Sequence, residues 1–233
     1  MTTIASNLQV VHDTIAQATH MAQRRAEDVI LLAVSKMHPA AALRAAFDAG
    51  QCAFGESYLQ EALDKMKALS GMPLEWHFIG PIQSNKTRAI AENFSWVHGV
   101  DRLKIAERLS AQRPQNFPPL NICIQVNVSG EDSKGGVAPA EVAELAQSVA
   151  RLPQLRLRGL MAIPAPAEGL ETQRKPFAML RELMQQLNAQ GLALDTLSMG
   201  MSHDFAAAIA EGATMVRIGT AIFGNRIYQK DAA

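Results

Sequence analysis

The 233-residue chain holds little cysteine, only two residues, and few aromatics, 5% in all. Its 22 basic and 22 acidic side chains cancel, and no long run carries one sign. That balance speaks against a dedicated nucleic-acid or anionic-membrane surface. No apolar stretch approaches the ~20 residues that a membrane helix needs. The opening MTTIASNLQVVHD has neither the basic nor the apolar region of a secretory signal. Cys52 and Cys123 lie in apolar segments without metal-ligand spacing, so both are expected as buried thiols, not as a disulfide or zinc ligands. The compartment is expected to be reducing and the protein soluble and cytoplasmic. At 48% hydrophobic residues, the composition is globular, and the length suffices for a substantial core.

What is present is a strong alternation of two periods. Ile4, Leu8, Val11, Ile15 and Ala18 recur at steps of three and four, one face of an amphipathic helix. Beyond it, short β-branched runs predict strands over 29–35, 52–55, 75–79, 96–100, 121–128, 155–160, 194–198 and 215–218. Between them, helical periodicity predicts helices over 39–49, 58–69, 85–93, 102–112, 139–151, 172–190 and 204–211. Pro39 and Pro139 open helices, and Gly50, Gly191 and Gly212 close them. Setting aside an N-terminal helix of about 26 residues leaves about 26 residues per βα unit, near the requirement of a (β/α)8 barrel. The alternative, an open doubly wound sheet, is disfavoured because the first βα turn, SKMHP, lacks G-x-G-x-x-G. The expected fold is α/β, a single (β/α)8 TIM barrel over 1–233 with an extra N-terminal helix.

Barrel chemistry gathers at the C-terminal strand ends, with phosphate often held after strands seven and eight. Three groups stand at those ends. Lys36 follows the apolar run LLAVS, where a low-dielectric wall would favour a neutral, nucleophilic amine. The alternative is a lysine snorkelling to solvent. In SMGMSHD, Gly200 permits close backbone approach and Ser202 is a candidate helix N-cap beside free N–H groups. A capped turn without a ligand is the alternative. In VRIGT, Gly219 and Thr220 offer an N–H and a hydroxyl, and Arg217 is a cation in an apolar run, for which a carboxylate is the ordinary partner. Closure of the barrel would set strand eight beside strand one. An amine, an anion site and a fixed cation on adjoining strand ends suit a phosphorylated aldehyde, with pyridoxal 5'-phosphate the obvious cofactor. A Schiff-base aldolase acting on a phosphosugar is another reading, but no convincing acid/base carboxylate or tyrosine stands at a strand end. His77 is expected as a core histidine, 129–136 as a mobile polar loop, and Met161 and Met199 as lining of the mouth.

The stretches LLAVSK, FGESYLQEAL, WHFIGPIQSNK, VNVSGEDSKGG, GLMAI, LSMGMSHDF and VRIGTAIFG resemble the pyridoxal phosphate homeostasis protein family, in that family's order. The resemblance implies a barrel like the N-terminal domain of alanine racemase, binding pyridoxal phosphate without established turnover. It assigns Lys36 to the internal aldimine. Ser202, Gly219 and Thr220 go to the phosphate with the Gly200 turn in support, and Arg217 to the pyridine nitrogen. Ser57 stands where the family usually has asparagine, and no cofactor contact is assigned to it. The implied role is vitamin B6 homeostasis, with supply of the cofactor to apo-enzymes. A racemase-like enzyme is the alternative, with water or His77 as a second base. That reading is weakened because Tyr58 and Tyr228 lack the context of a catalytic base and an arginine at the ring nitrogen weakens the electron sink. A monomer is expected, without nucleic-acid or membrane partners.

Overall fold

The computed structural model describes residues 3–131 and 135–225. Eight parallel strands close into a barrel in sequential order: β1 Ile30–Val34, β2 Ala53–Glu56, β3 Glu75–Phe78, β4 Trp96–Val100, β5 Leu120–Gln125, β6 Leu155–Met161, β7 Thr196–Ser198 and β8 Met215–Ile218. Helices follow outside: α1 Ile4–Met21 before the first strand, then α2 Ala40–Asp48, α3 Leu59–Ala68, α4 Thr87–Asn93, α5 Leu103–Gln112, α6 Val142–Val149, α7 Leu170–Ala189, α8 Phe205–Ala210 and α9 Thr220–Phe223. The expected (β/α)8 barrel with an N-terminal helix is what the chain forms.

The extra helix has a structural reason. Among the described residues, the chain after β8 makes the four-residue α9, too short to cover the β8–β1 seam. Helix α1 fills that gap, packed on α2, α8 and α9, with Leu8, Val11 and Ile15 buried as the periodicity predicts. Each such side chain contributes about 2 kcal/mol of apolar burial. Helix α1 is shorter than expected and is followed by a 3-10 turn, Ala26–Asp28. Strand β5 stops at Gln125, and Val126, whose N–H still donates to the Met161 carbonyl at 2.8 Å, forms an isolated bridge to Val137. Cys123 is buried as expected, but Cys52 is exposed because it precedes β2 at the rim. Both are free thiols. Met161 and Met199 are fully buried and do not line an open mouth.

The barrel interior departs from the usual aliphatic filling. Alternation turns every second strand residue inward, and here those positions include His77, His98, Cys123, Ser198 and Arg217, all buried. His98 on β4 and Ser198 on β7 are hydrogen-bonded at 2.8 Å. These strands are not neighbours, so the bond crosses the lumen.

Candidate functional site

Barrel closure pairs Leu32 with Arg217 and Ala33 with Ile218, and β7 lies against β8. The groups predicted at the ends of β1, β7 and β8 therefore share one arc of the C-terminal rim. Lys36 is half-buried, two residues beyond β1, and the next residue, Met37, has φ +64°. A non-glycine residue in that region needs support from its surroundings. Glu61 Oε1 supplies it, accepting from the Met37 N–H at 2.6 Å. On the other side of Lys36, the Ser35 hydroxyl donates to Glu56 Oε1 at 2.6 Å, and the Ser35 carbonyl accepts from Lys65 Nζ at 2.8 Å.

Lys65 also donates to Glu56 Oε1 at 2.7 Å and to Glu61 Oε1 at 2.5 Å. An ammonium has three N–H donors, and all three are engaged. Lys65 is thus the hub of a buried ion cluster that clamps both flanks of Lys36. Burial pushes the Glu56 carboxyl up, opposed by the Lys65 charge and the hydrogen bonds from Lys65 and Ser35.

Across the seam, the chain after β8 lies hard against β1. A Cβ at Gly219 would fall 2.9 Å from the Val34 carbonyl oxygen, which only glycine avoids. Gly200 has φ +93°, and a Cβ there would lie 2.6 Å from Ala208 Cβ. Its carbonyl accepts from the Arg217 N–H at 2.9 Å, which ties the β7 turn to β8. The amide N–H groups of Ser202, His203, Gly219, Thr220 and Ala221 have no acceptor among the described residues. Ser202 is half-buried and Thr220 exposed, so these donors are within reach of a ligand. Such a set of amides at adjoining turns is suited to a phosphate. One detail differs from expectation. The cap position of α8 is Asp204, whose Oδ1 accepts from the Met201 N–H at 2.6 Å, because an extra turn delays the helix to Phe205. Ser202 therefore stands before the cap, with its N–H unengaged.

Arg217 is buried without the carboxylate that its charge led us to expect. Nη1 donates to the Ser198 carbonyl at 2.6 Å and to Ser198 Oγ at 2.9 Å, and Nη2 donates to the Ala162 carbonyl at 2.9 Å. Carbonyls just at and beyond the ends of β7 and β6 take the place of an anion. Burial lowers the guanidinium to about 10, with Asp204 and Cys123 opposing that shift. It remains a cation at neutral pH. Three of its five N–H donors are used among the described residues.

His77 is the expected core histidine. Its Nδ1 meets His98 Nε2 at 3.0 Å, its Nε2 meets Glu75 Oε1 at 2.7 Å, and its ring stacks on Trp96. Both ring nitrogens are engaged inside the barrel, so His77 is not a base at the rim. Burial lowers the pKa of both histidines, His98 well below its ordinary value. Both rings are therefore neutral in the native state and bind protons once the chain unfolds. Their contribution to stability is complete above the unfolded value near 6.5 and is lost as pH falls below it. The loss reaches about 1.4 kcal/mol per pH unit for each ring. Glu56, with a raised carboxyl, contributes with the opposite sign. Urea midpoints are expected to fall between pH 7.5 and 5.5, and to fall less in His98→Asn. A flat profile in the unsubstituted protein would contradict the neutral assignment.

Sequence reading missed Ser35, Glu56, Glu61 and Lys65 as supports of Lys36. Glu61 and Lys65, four apart on α3, were a legible ion pair, but their reach to the β1 end was not. Ser57 lies at the β2 end, where a Cβ on Gly80 would come 2.4 Å from the Ser57 carbonyl oxygen. In the loop after β5, Ser129 Oγ accepts from the Ala165 N–H at 2.9 Å. Residues 132–134 of that loop, and Tyr228, lie outside the described residues. Among the described residues, no cluster of histidine, cysteine, aspartate or glutamate could hold a metal ion, and no helix is long and apolar enough to cross a membrane.

Comparison with known proteins matches residues 10–226 to the family described as alanine racemase, N-terminal domain. A pyridoxal phosphate homeostasis protein of Pseudomonas aeruginosa is 61% identical over 233 residues, covering 100% of both chains. The solved structure of PipY from Synechococcus elongatus without pyridoxal phosphate aligns with a TM-score of 0.85 at 38% identity, covering 95% of this chain and 100% of that one. PipY with pyridoxal phosphate bound aligns with a TM-score of 0.79 at 38% identity, covering 90% and 100%.

Proposed function

The chain belongs to the pyridoxal phosphate homeostasis proteins, within the alanine racemase N-terminal domain family, and from that premise we propose that it holds pyridoxal 5'-phosphate at the C-terminal mouth of its barrel and supplies it to apo-enzymes. The observation that carries this reading is the meeting, on one arc of the rim, of the Lys36 turn with the unengaged amides after β7 and β8. PipY, with pyridoxal phosphate bound, shares the fold at 38% identity and so supports it.

When bound, the cofactor supplies an aldehyde that a lysine amine converts to a Schiff base. Lys36 would provide that amine and so would hold the cofactor at the rim. The amides of Ser202, Gly219 and Thr220, with the two hydroxyls, hold the phosphate, and Gly200 sets the turn that presents Ser202. Arg217 would face the ring nitrogen, and its fixed charge would oppose protonation there. That suits retention of the cofactor better than carbanion chemistry. The competing racemase reading needs a second base. His77 is locked in the barrel interior, and Tyr58 is an exposed residue before α3. We take residues 1–233 to act as one barrel unit, monomeric and cytoplasmic. Light scattering after size exclusion checks the oligomeric state, and a stable dimer would overturn that part.

Delivery is tested by loading the protein with pyridoxal phosphate, removing free cofactor by gel filtration, and adding an apo-enzyme together with a phosphatase that destroys the free cofactor. Reactivation of the apo-enzyme is expected to outpace that from an equal amount of free cofactor. No reactivation under these conditions would overturn supply as the role.

A further inference from the structure

A chain of hydrogen bonds runs through the barrel from Arg217 to the opposite rim. Arg217 Nη1 meets Ser198 Oγ at 2.9 Å, Ser198 Oγ meets His98 Nδ1 at 2.8 Å, His98 Nε2 meets His77 Nδ1 at 3.0 Å, and His77 Nε2 meets Glu75 Oε1 at 2.7 Å. The four inner side chains are buried, whereas the Glu75 side chain is half-exposed, at the first residue of β3. Strand β3 begins at the N-terminal rim, so the chain joins the two ends of the barrel.

With both rings neutral, donor and acceptor rules leave one proton order. The Glu75 carboxylate only accepts, so His77 carries its proton on Nε2 and donates it to Glu75. His77 Nδ1 then accepts from His98 Nε2, and His98 Nδ1 accepts the single proton of Ser198 Oγ. The Ser198 oxygen accepts in turn from Arg217, whose guanidinium only donates. Every bond is satisfied with both rings neutral, and every donor points the same way, from Arg217 toward Glu75. Aligned bonds in a low dielectric reinforce one another. Nothing in the proposed function requires this chain, because the Ser198 and Ala162 carbonyls alone would hold the guanidinium in place.

We propose that Ser198, His98 and His77 are positioning residues that couple the half-exposed Glu75 at the N-terminal rim to Arg217, so that the charge at Glu75 tunes how Arg217 meets the ring of the bound cofactor. This rests on the reading that pyridoxal phosphate sits at the C-terminal mouth. The other titratable groups around the chain are Cys123 on β5, Arg158 on β6 paired with Asp195, and Asp204 before α8. Burial pushes the Cys123 thiol up to about 12. Arg158 lies over the Trp96 ring and its charge favours the ionised form of Glu75. The half-exposed carboxylate is thus the end of the chain that solvent or a bound cation can reach.

The test has two arms. In the cofactor-free protein, 15N NMR of labelled histidine is expected to show His77 and His98 as Nε2–H tautomers throughout pH 5.5–8. A proton on Nδ1 of either ring, or ordinary titration near 6.5, would overturn the order. In the second arm, Glu75→Gln keeps an acceptor for His77 and removes the charge at an exposed site that leaves the core intact. Its pyridoxal phosphate dissociation constant is expected to change by about threefold or more, with a shift in the pH titration of the visible band. A merely structural role for the chain would leave both unchanged, and that result overturns the coupling. His98→Asn, which still accepts from Ser198 but cannot reach His77, is expected to reproduce the Glu75→Gln spectrum. If the unsubstituted protein takes up no pyridoxal phosphate, the proposed function and the coupling that rests on it both fail. The NMR arm still decides the proton order by itself.

Discussion

Lys36→Ala is expected to take up pyridoxal phosphate without the yellow band of a Schiff base and to lose it on gel filtration. The affinity should fall at least about a hundredfold, or about 2.7 kcal/mol, because only the phosphate and ring contacts remain. The amide donors of Ser202, Gly219 and Thr220 belong to other turns and stay in place, so inorganic phosphate should still compete for the residual binding. The fold should be unaffected, since Lys36 is half-buried in a turn whose conformation is fixed by Glu56, Glu61 and Lys65 acting on Ser35 and Met37. Equilibrium dialysis measures the affinity. Retention of the band at full strength would move the Schiff base to another lysine.

Lys65→Met is expected to destabilise the protein by about 3–5 kcal/mol, because it leaves the fully buried Glu56 carboxylate without its counter-charge. Adding Glu56→Gln should recover much of that loss, since neither half of the pair then carries a buried charge. Urea unfolding of the two single variants and the double variant measures the coupling. The same substitution should weaken cofactor uptake, because the Ser35 carbonyl loses its donor and the Lys36 turn loosens. A change below about 1 kcal/mol in Lys65→Met would mean that the cluster is solvated and does not clamp the turn.

The barrel was legible because its two periods are cleanly separated. Strands β4 and β8 begin and end where the β-branched runs do, and the glycines after the helices punctuate them. Element ends were read less well where a local hydrogen bond decides them. Asp204 captures the Met201 N–H and delays α8, and β5 stops before Val126, which bridges to Val137. Lys36 and the turns after β7 and β8 were legible because barrel topology alone brings strand eight beside strand one. The clamp around Lys36 was not, because Glu56 meets Ser35 across the β1–β2 pairing and Lys65 reaches both from α3. The interior chain was harder still. His98 and Ser198 are a hundred residues apart, on strands that face each other across the lumen, and no local pattern marks that pair. Arg217 carried a misleading signal, since a lone buried cation suggests a carboxylate, whereas strand-end carbonyls do the work.

Borohydride reduction of the protein incubated with pyridoxal phosphate, followed by peptide mapping, tests the central claim most directly. A pyridoxyl group on the peptide containing Lys36, absent from other lysine peptides at limiting cofactor, is the result expected if the amine and the phosphate cradle share the C-terminal mouth. Labelling confined to other lysines, with Lys36 unmodified, would contradict it.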